Sequence, residues 1–155
     1  SGDAVAASIH TLRDKAIQTK PPRLNHYKDI KTGTGGLRDV EFLVQGLQLR
    51  HGENHPELYE GNTLTAIEKL RELAIMPDDT AEQLRADYLF LRRIEHYLQI
   101  FEDRQIHALP TDPEDLGVFA RRLHGIDATA EDFQQELEQC LQRVNQTYNT
   151  YLAPL

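Results

Sequence analysis

The stretch Lys28 to Gln45, KDIKTGTGGLRDVEFLVQ, combines basic residues, a glycine-rich turn and the start of a helix. Glycines let successive N–H groups point one way and let a ligand come close. The helix start adds partial positive charge. Lys28, Lys31 and Arg38 add full charges, so phosphate or carboxylate binding is the chemistry this pattern could support. Asp39 and Glu41 fall in the first helical turn and suit its dipole. Arg38, Glu41 and Gln45 share one side of the helix at steps of three and four. The same residues also fit a plain tight turn at Gly35 and Gly36 followed by solvated helix-start charges, and spacing alone does not choose.

A second cluster is Arg92, Arg93, Glu95 and His96. Glu95 falls between Leu91 and Leu98 in helical phase, so it is expected to be partly buried and to need a cation. Arg92, three residues before it, can pair on the same helix, and Arg38 is a candidate from another helix. A structural ion pair explains this cluster as readily as a functional one. His51 and His55 are four apart, but Gly52 and Pro56 interrupt any helix between them, so no metal site is expected. Tyr148, Tyr151 and Cys140 lie on or near an apolar stripe and read as core residues.

Several chemistries lack their motifs. GxxxxGK[ST], HExxH and GxSxG do not occur, and the glycines are wrongly spaced for GxGxxG. No Asp-x-Asp pair and no His-Asp dipeptide occurs. One cysteine excludes a disulfide framework within the chain. The formal charge of −8 argues against nucleic acid as a partner. No run approaches the length of a membrane span, and the first residues lack the pattern of a signal peptide. These features fit a cytoplasmic protein.

The elements that must position these residues are helices. The spacing predicts a helix from Asp3 to Gln18, capped by Asp3, with Val5, Ile9, Leu12 and Ala16 on one face and Pro21 and Pro22 as its stop. His26 to Lys31 reads as a short extended segment. A second helix runs from Leu37 to Gly52, a left-handed terminator, on the stripe Leu37, Val40, Val44 and Leu47. A third, capped by Asn62 or Thr63, runs to about Ile75 with Leu64, Ile67, Leu70 and Leu73 inward. A fourth, capped by Asp79 or Thr80, runs to about Asp103. A short fifth opens at Asp112-Pro113 and closes at Gly125. A sixth runs from Thr129 to about Leu152 on Phe133, Leu137, Leu141, Val144, Tyr148 and Tyr151. Amphipathic helices with short links make an all-α antiparallel bundle of five to six helices. The expected organisation is one domain over 1–155: a leading helix and linker at 1–22, the extended Gly-rich segment at 23–36, and the bundle at 37–155. The initial Ser fits a fragment of a larger protein.

KDIKTGTGGLRDVEFLVQGLQLRHG resembles the segment that follows the nucleotidyltransferase domain in bacterial glutamine synthetase adenylyltransferases. The resemblance continues through HPELYEGNTLTAIEKL, LRADYLFLRRIEHYLQIFEDRQIHALPTD and ARRLHG. The GGLRDVEF core together with RRIEH is its specific part. The resemblance implies a bifunctional parent enzyme that attaches AMP to glutamine synthetase and removes it, using ATP and Mg²⁺. QIHALP is closer to the removing half. The related uridylyltransferases of the PII protein share this plan. The family's catalytic signature, Gly-Ser followed by an Asp-x-Asp pair, is missing, so the resemblance implies a helical accessory domain with no catalytic residues and no cofactor of its own. By motif position it assigns Lys31, Gly33, Gly35, Gly36, Arg38, Asp39, Glu41 and Gln45 to a phosphate or catalytic-domain junction. The implied partners are the parent's nucleotidyltransferase domain, glutamine synthetase and a PII protein. A regulatory module that binds PII or glutamine, or the matching domain of a PII uridylyltransferase, is the alternative.

Overall fold

In the computed structural model, residues 2–18, 27–102, 108–110 and 112–152 are described. Among these residues six helices form the bundle: α1 (Gly2–Gln18), α2 (Leu37–His51), α3 (Thr63–Glu72), α4 (Asp78–Glu102), α5 (Pro113–His124) and α6 (Ala130–Tyr151). A short 3-10 turn at Pro56–Leu58 links α2 to α3. The extended segment expected near His26 to Lys31 is β1 (Tyr27–Asp29). It pairs antiparallel with β2 (Ala108–Pro110), placing Tyr27 opposite Pro110 and Asp29 opposite Ala108. Period gave no sign of β2. Three residues are too few to show one, and the strand exists through its partner about 80 positions away in sequence.

The helix starts follow side-chain capping. Asn62 Oδ1 accepts from the Thr65 amide at 3.1 Å, Asp112 Oδ2 from Asp115 at 3.2 Å, and Thr129 Oγ1 from Asp132 at 3.1 Å. Two starts differ from expectation. Helix α1 already includes Gly2, so Asp3 lies inside its first turn. Helix α4 begins at Asp78, and the Asp79 carboxylate accepts from the amide and the hydroxyl of the adjacent Thr80 instead of capping an amide further on. Pro21 and Pro22, His26, and the expected end of α4 at Asp103 lie outside the described residues.

Two helix ends also differ. Gly52 has φ −64°, a right-handed value, so α2 does not end on a left-handed residue. A Cβ there would lie 2.6 Å from the Tyr59 ring, so close packing is what requires glycine. Helix α3 stops at Glu72, before Ile75. Ala74 takes φ 55°, its amide bonds to Arg71 O at 2.9 Å, and the Ile75 amide bonds to Leu70 O at 3.0 Å. That pair of bonds is a Schellman closure with alanine where glycine is usual.

The core runs through α2, α4 and α6. Leu37, Val40, Val44 and Leu47 of α2 are all buried, as are Leu84, Leu91, Ile94 and Leu98 of α4 and Phe133, Leu137, Val144 and Tyr148 of α6. Helix α1 keeps Ile9 of the expected face but not Leu12, and the side chains of Val5 and Ala16 lie outside the described residues. Ile9 and Arg13 turn inward, while Leu12 is 57% exposed. An arginine thus holds the inward position that periodicity alone gives to an apolar residue.

Candidate functional site

The Gly-rich turn is folded tightly against the bundle. Gly35 sits at φ +75°, a conformation that glycine adopts without strain. A Cβ on it would lie 1.9 Å from Leu141 O, and one on Gly36 would lie 2.4 Å from Ile30 O. Both glycines, with Gly33, are buried. The five successive amides from Gly35 to Asp39 are already used. The Gly36 amide donates to Gly33 O at 2.9 Å, Leu37 to Ile30 O at 2.9 Å, Arg38 to Lys31 O at 2.8 Å and Asp39 to Gly36 O at 3.1 Å. The Gly35 amide donates to Asp39 Oδ2 at 2.7 Å. Phosphate cradles at helix starts work by aiming unpaired N–H groups at the anion. These five amides point into the protein's own acceptors, so the backbone here does not fit that group. Side-chain charge is what remains for it.

Asp39 is turned inward and 2% exposed. Arg13 of α1 grips its carboxylate with two parallel bonds, Nε to Oδ1 at 2.8 Å and Nη2 to Oδ2 at 2.7 Å. Arg13 Nη2 also donates to Asn145 Oδ1 of α6 at 2.8 Å, and the guanidinium lies 4.1 Å from the Tyr148 ring centre. A buried charge pair persists only when its remaining hydrogen-bonding capacity is met, and here it is. Burial works to loosen the Arg13 proton, but the bonds and charge of Asp39 outweigh it, so its pKa is raised. Burial pushes the Tyr148 hydroxyl up to about 12, although the neighbouring Arg13 charge works the other way. His10 Nδ1 lies 3.3 Å from that hydroxyl. The cluster joins α1, the Gly turn, α2 and α6.

The outward side of α2 contrasts with this. Arg38 and Glu41 are half-buried and Gln45 is exposed. Among the described residues, their side chains form no hydrogen bond or ion pair. Leu49, on the same face, is 43% exposed. Lys31 is half-buried beside the turn. Three polar side chains with no internal use, next to a rigid turn, form a surface that can meet a partner.

The second cluster stays apart from this face in its bonding. Glu95 is 5% exposed, and Arg92 Nη1 reaches its Oε2 at 2.8 Å. Arg92 therefore supplies a partner, and the alternative from Arg38 does not form. Arg93 donates to Leu123 O at 2.6 Å and lies over Tyr97, while His96 is exposed and edge-on to Tyr97. The Arg93 bond ties α4 to α5, and the other contacts stay within α4. Cys140 is fully buried, its thiol 3.8 Å from Asp87 O, and burial pushes its pKa well up.

Sequence reasoning missed Arg13, Asn145 and the link through Tyr148. A signal was present. Arg13 lies one turn after Ile9, on the face that must pack, and Asp39 shares a flank of α2 with Leu43 and Gly46 at steps of four and three. Two opposite charges on inward faces call for each other.

A family model described as GlnD PII-uridylyltransferase matches residues 4–152. The chain belongs to this family. Among curated relatives of the family member, the bifunctional glutamine synthetase adenylyltransferase/adenylyl-removing enzyme of Alteromonas mediterranea is 44% identical over 105 residues, 66% of this chain and 11% of the relative. The enzymes of the same description from Bordetella pertussis and Methylococcus capsulatus are 37% and 36% identical over 152 and 149 residues. Those matches cover 94% and 96% of this chain but 16% and 15% of the relatives. The chain thus spans about a sixth or less of the length of these curated relatives. The match begins within α1, so α1 is part of the family unit and not an appendage to it. Among the described residues, no helix is long and apolar enough to cross a membrane.

Proposed function

We propose that this chain is a helical accessory domain of a nucleotidyl-transferring enzyme that adenylylates and deadenylylates glutamine synthetase, in the cytoplasm. The relatives' names and the family match support the reading. In it, the parent's catalytic domain holds ATP and Mg²⁺ and performs the transfer. This bundle docks against that domain through Arg38, Glu41 and Gln45, with Lys31 beside them.

One observation carries the docking role. Asp39 is consumed inward by Arg13 and Gly35, while Arg38 and Glu41 from the same turn of α2 have no side-chain partner among the described residues. A half-buried arginine left without an acceptor suits a charge-assisted bond across an interface. The occupied turn amides favour docking over phosphate binding. Removal of AMP, rather than its attachment, is the half-reaction to which QIHALP attaches this copy. A PII protein would meet the bundle elsewhere on its surface.

The test is Arg38→Ala in the full-length enzyme, assayed for both attachment and removal of AMP. Arg38→Ala is expected to lower turnover of one half-reaction by tenfold or more while the melting temperature stays unchanged. Full retention of both half-reactions by Arg38→Ala and by Glu41→Ala would remove the docking role.

A further inference from the structure

Helix α1 meets the bundle through polar contacts along its length, of which the hydrogen bonds of Arg13 are the buried ones. It runs antiparallel to α2: Asp3 faces Arg50 at 3.4 Å near one end, and Arg13 meets Asp39 near the other. Between them, His10 contacts the Tyr148 hydroxyl and Ile9 is buried. Arg13 is the member with most at stake. It touches α2 through Asp39, α6 through Asn145 and the Tyr148 ring, and the Gly turn through the carboxylate it shares with the Gly35 amide.

That sharing couples two events. With α1 docked, Asp39 Oδ2 is fixed between Arg13 Nη2 and the Gly35 N–H, both at 2.7 Å. With α1 lifted, the carboxylate loses both Arg13 donors and turns to water, and the Gly35 amide loses a stationary acceptor. Gly35 packs against the α6 backbone closely enough that a Cβ on it would lie 1.9 Å from Leu141 O, so the turn is seated directly on α6. Packed elements of this kind switch between discrete states instead of deforming gradually.

We propose that α1 is a latch whose docking, through Arg13 and Asp39, fixes the Gly33–Gly36 turn and with it the start of α2 that carries Arg38. Any partner or preceding segment that pulls α1 away loosens the Arg38 face, and any partner that orders that face favours docked α1. The inference rests on the docking reading only for this consequence. The coupling itself is a property of the chain alone.

The experiment is native-state hydrogen exchange on the 155-residue chain across a urea series, followed residue by residue. In the unaltered protein, the amides of α1 and of Gly35 are expected to share one opening, at lower urea than the opening that releases α4 and α6. Exchange of Gly35 together with α4 and α6, with α1 opening earlier and alone, would overturn the latch. In Arg13→Gln and in Asp39→Asn, Gly35 exchange is expected to rise at least tenfold relative to α4 amides. An unchanged ratio in both would also overturn it. Arg143→Gln, which breaks the Asp87–Arg143 pair between α4 and α6, is expected to leave the ratio within twofold. A twofold limit exceeded there would show that any lost ion pair frees the turn, which sinks the specific coupling. If Arg13→Gln does not fold, the unaltered protein's isotherms still decide. A positive result beside an inert Arg38→Ala in the full-length enzyme would keep the latch and discard the docking role.

Discussion

The α1–α2–α6 junction and the α3–α4 hairpin are built from the same two devices, an arginine–carboxylate pair and a residue in the left-handed region. At the junction, the pair is Arg13–Asp39, with side chains 8% and 2% exposed, and the left-handed residue is Gly35. At the hairpin, Arg71 bonds Glu68 and reaches Asp78 at 3.4 Å, with Arg71 and Glu68 36% and 47% exposed, and the left-handed residue is Ala74. Burial separates the two. Water replaces a lost partner at the hairpin and cannot do so at the junction without opening the core. The hairpin borders an open, charged cleft of about 660 Å³ lined in part by Glu68, Arg71, Glu82 and Arg85. The junction has its charges enclosed. The same residue types therefore hold a fold together in one place and only decorate it in the other.

The sharpest way to break this comparison is to remove Arg13. Arg13→Ala leaves Asp39 charged, buried and short of two donors, and is expected to destabilise the chain by about 3–5 kcal/mol. Urea denaturation at neutral pH measures it. A loss comparable to that of an exposed pair would mean the enclosure is not what matters. Gly35→Ala comes next, at about 2–4 kcal/mol, since it combines a left-handed alanine with a clash against Leu141 O that the backbone must move to relieve. The two changes act on contacting groups, so their double mutant is expected to lose less than the sum.

Burial can also be read through pH. Cys140 lies on the same α6 as Asn145 and Tyr148, and its folded pKa is raised, first by burial and then by the nearby Asp87. The unfolded thiol ionises near pH 8.5 while the folded thiol stays protonated, so the unfolded state holds fewer protons above that point. Stability is full below about pH 8.5 and falls as pH rises, with a limiting slope of about 1.4 kcal/mol per pH unit. Tyr148, raised by burial to about 12, adds a second decline above about pH 10. Cys140→Ala is expected to remove the decline between pH 8.5 and 10, seen as parallel urea midpoints. A slope that persists in the variant would assign it to other groups.

The hairpin's left-handed residue offers a gain. Ala74 holds φ 55° in a closure where glycine carries no Cβ penalty. Ala74 is exposed, so a glycine removes no packing. Ala74→Gly is expected to stabilise by about 0.5–1 kcal/mol. The thermal midpoint measures it, and a loss would mean that the extra freedom of glycine in the unfolded chain outweighs the strain.

Much of the bundle was legible because its signals are local. The stripes on α2, α4 and α6 repeat within a few turns, and the caps Asn62, Asp112 and Thr129 act on amides three residues away. What was not legible depends on distance along the chain. Arg13 meets Asp39 across 26 positions and Asn145 across 132. Strand β2 exists only because β1 is beside it. At the candidate site, the glycine turn and the shared face of Arg38, Glu41 and Gln45 were readable from spacing. That the amides of Gly35 to Asp39 are taken was not, because it depends on the path of the turn, which brings the Ile30 and Lys31 carbonyls and the Asp39 carboxylate back onto them. On α1, Leu12 was misplaced because period ranks it above Arg13, while the structure buries a charge that has a partner elsewhere.

The smallest effect belongs to the hairpin pair, and it closes the comparison. Arg71 and Glu68 are one turn apart on α3, a spacing that any reading of the sequence would pair. The bond lowers the Glu68 pKa, chiefly through its hydrogen bond to Arg71. Both groups stand in water, so solvent and salt supply most of what either would lose. Arg71→Ala is expected to leave the urea midpoint unchanged within error at 0.15 M salt. Asp78, near the start of α4, loses the same arginine, but the helix dipole already favours its charge. A clear loss of stability in Arg71→Ala, insensitive to added salt, would show that the cleft between α3 and α4 shields its charges as the junction does. Burial would then no longer be what distinguishes the two regions.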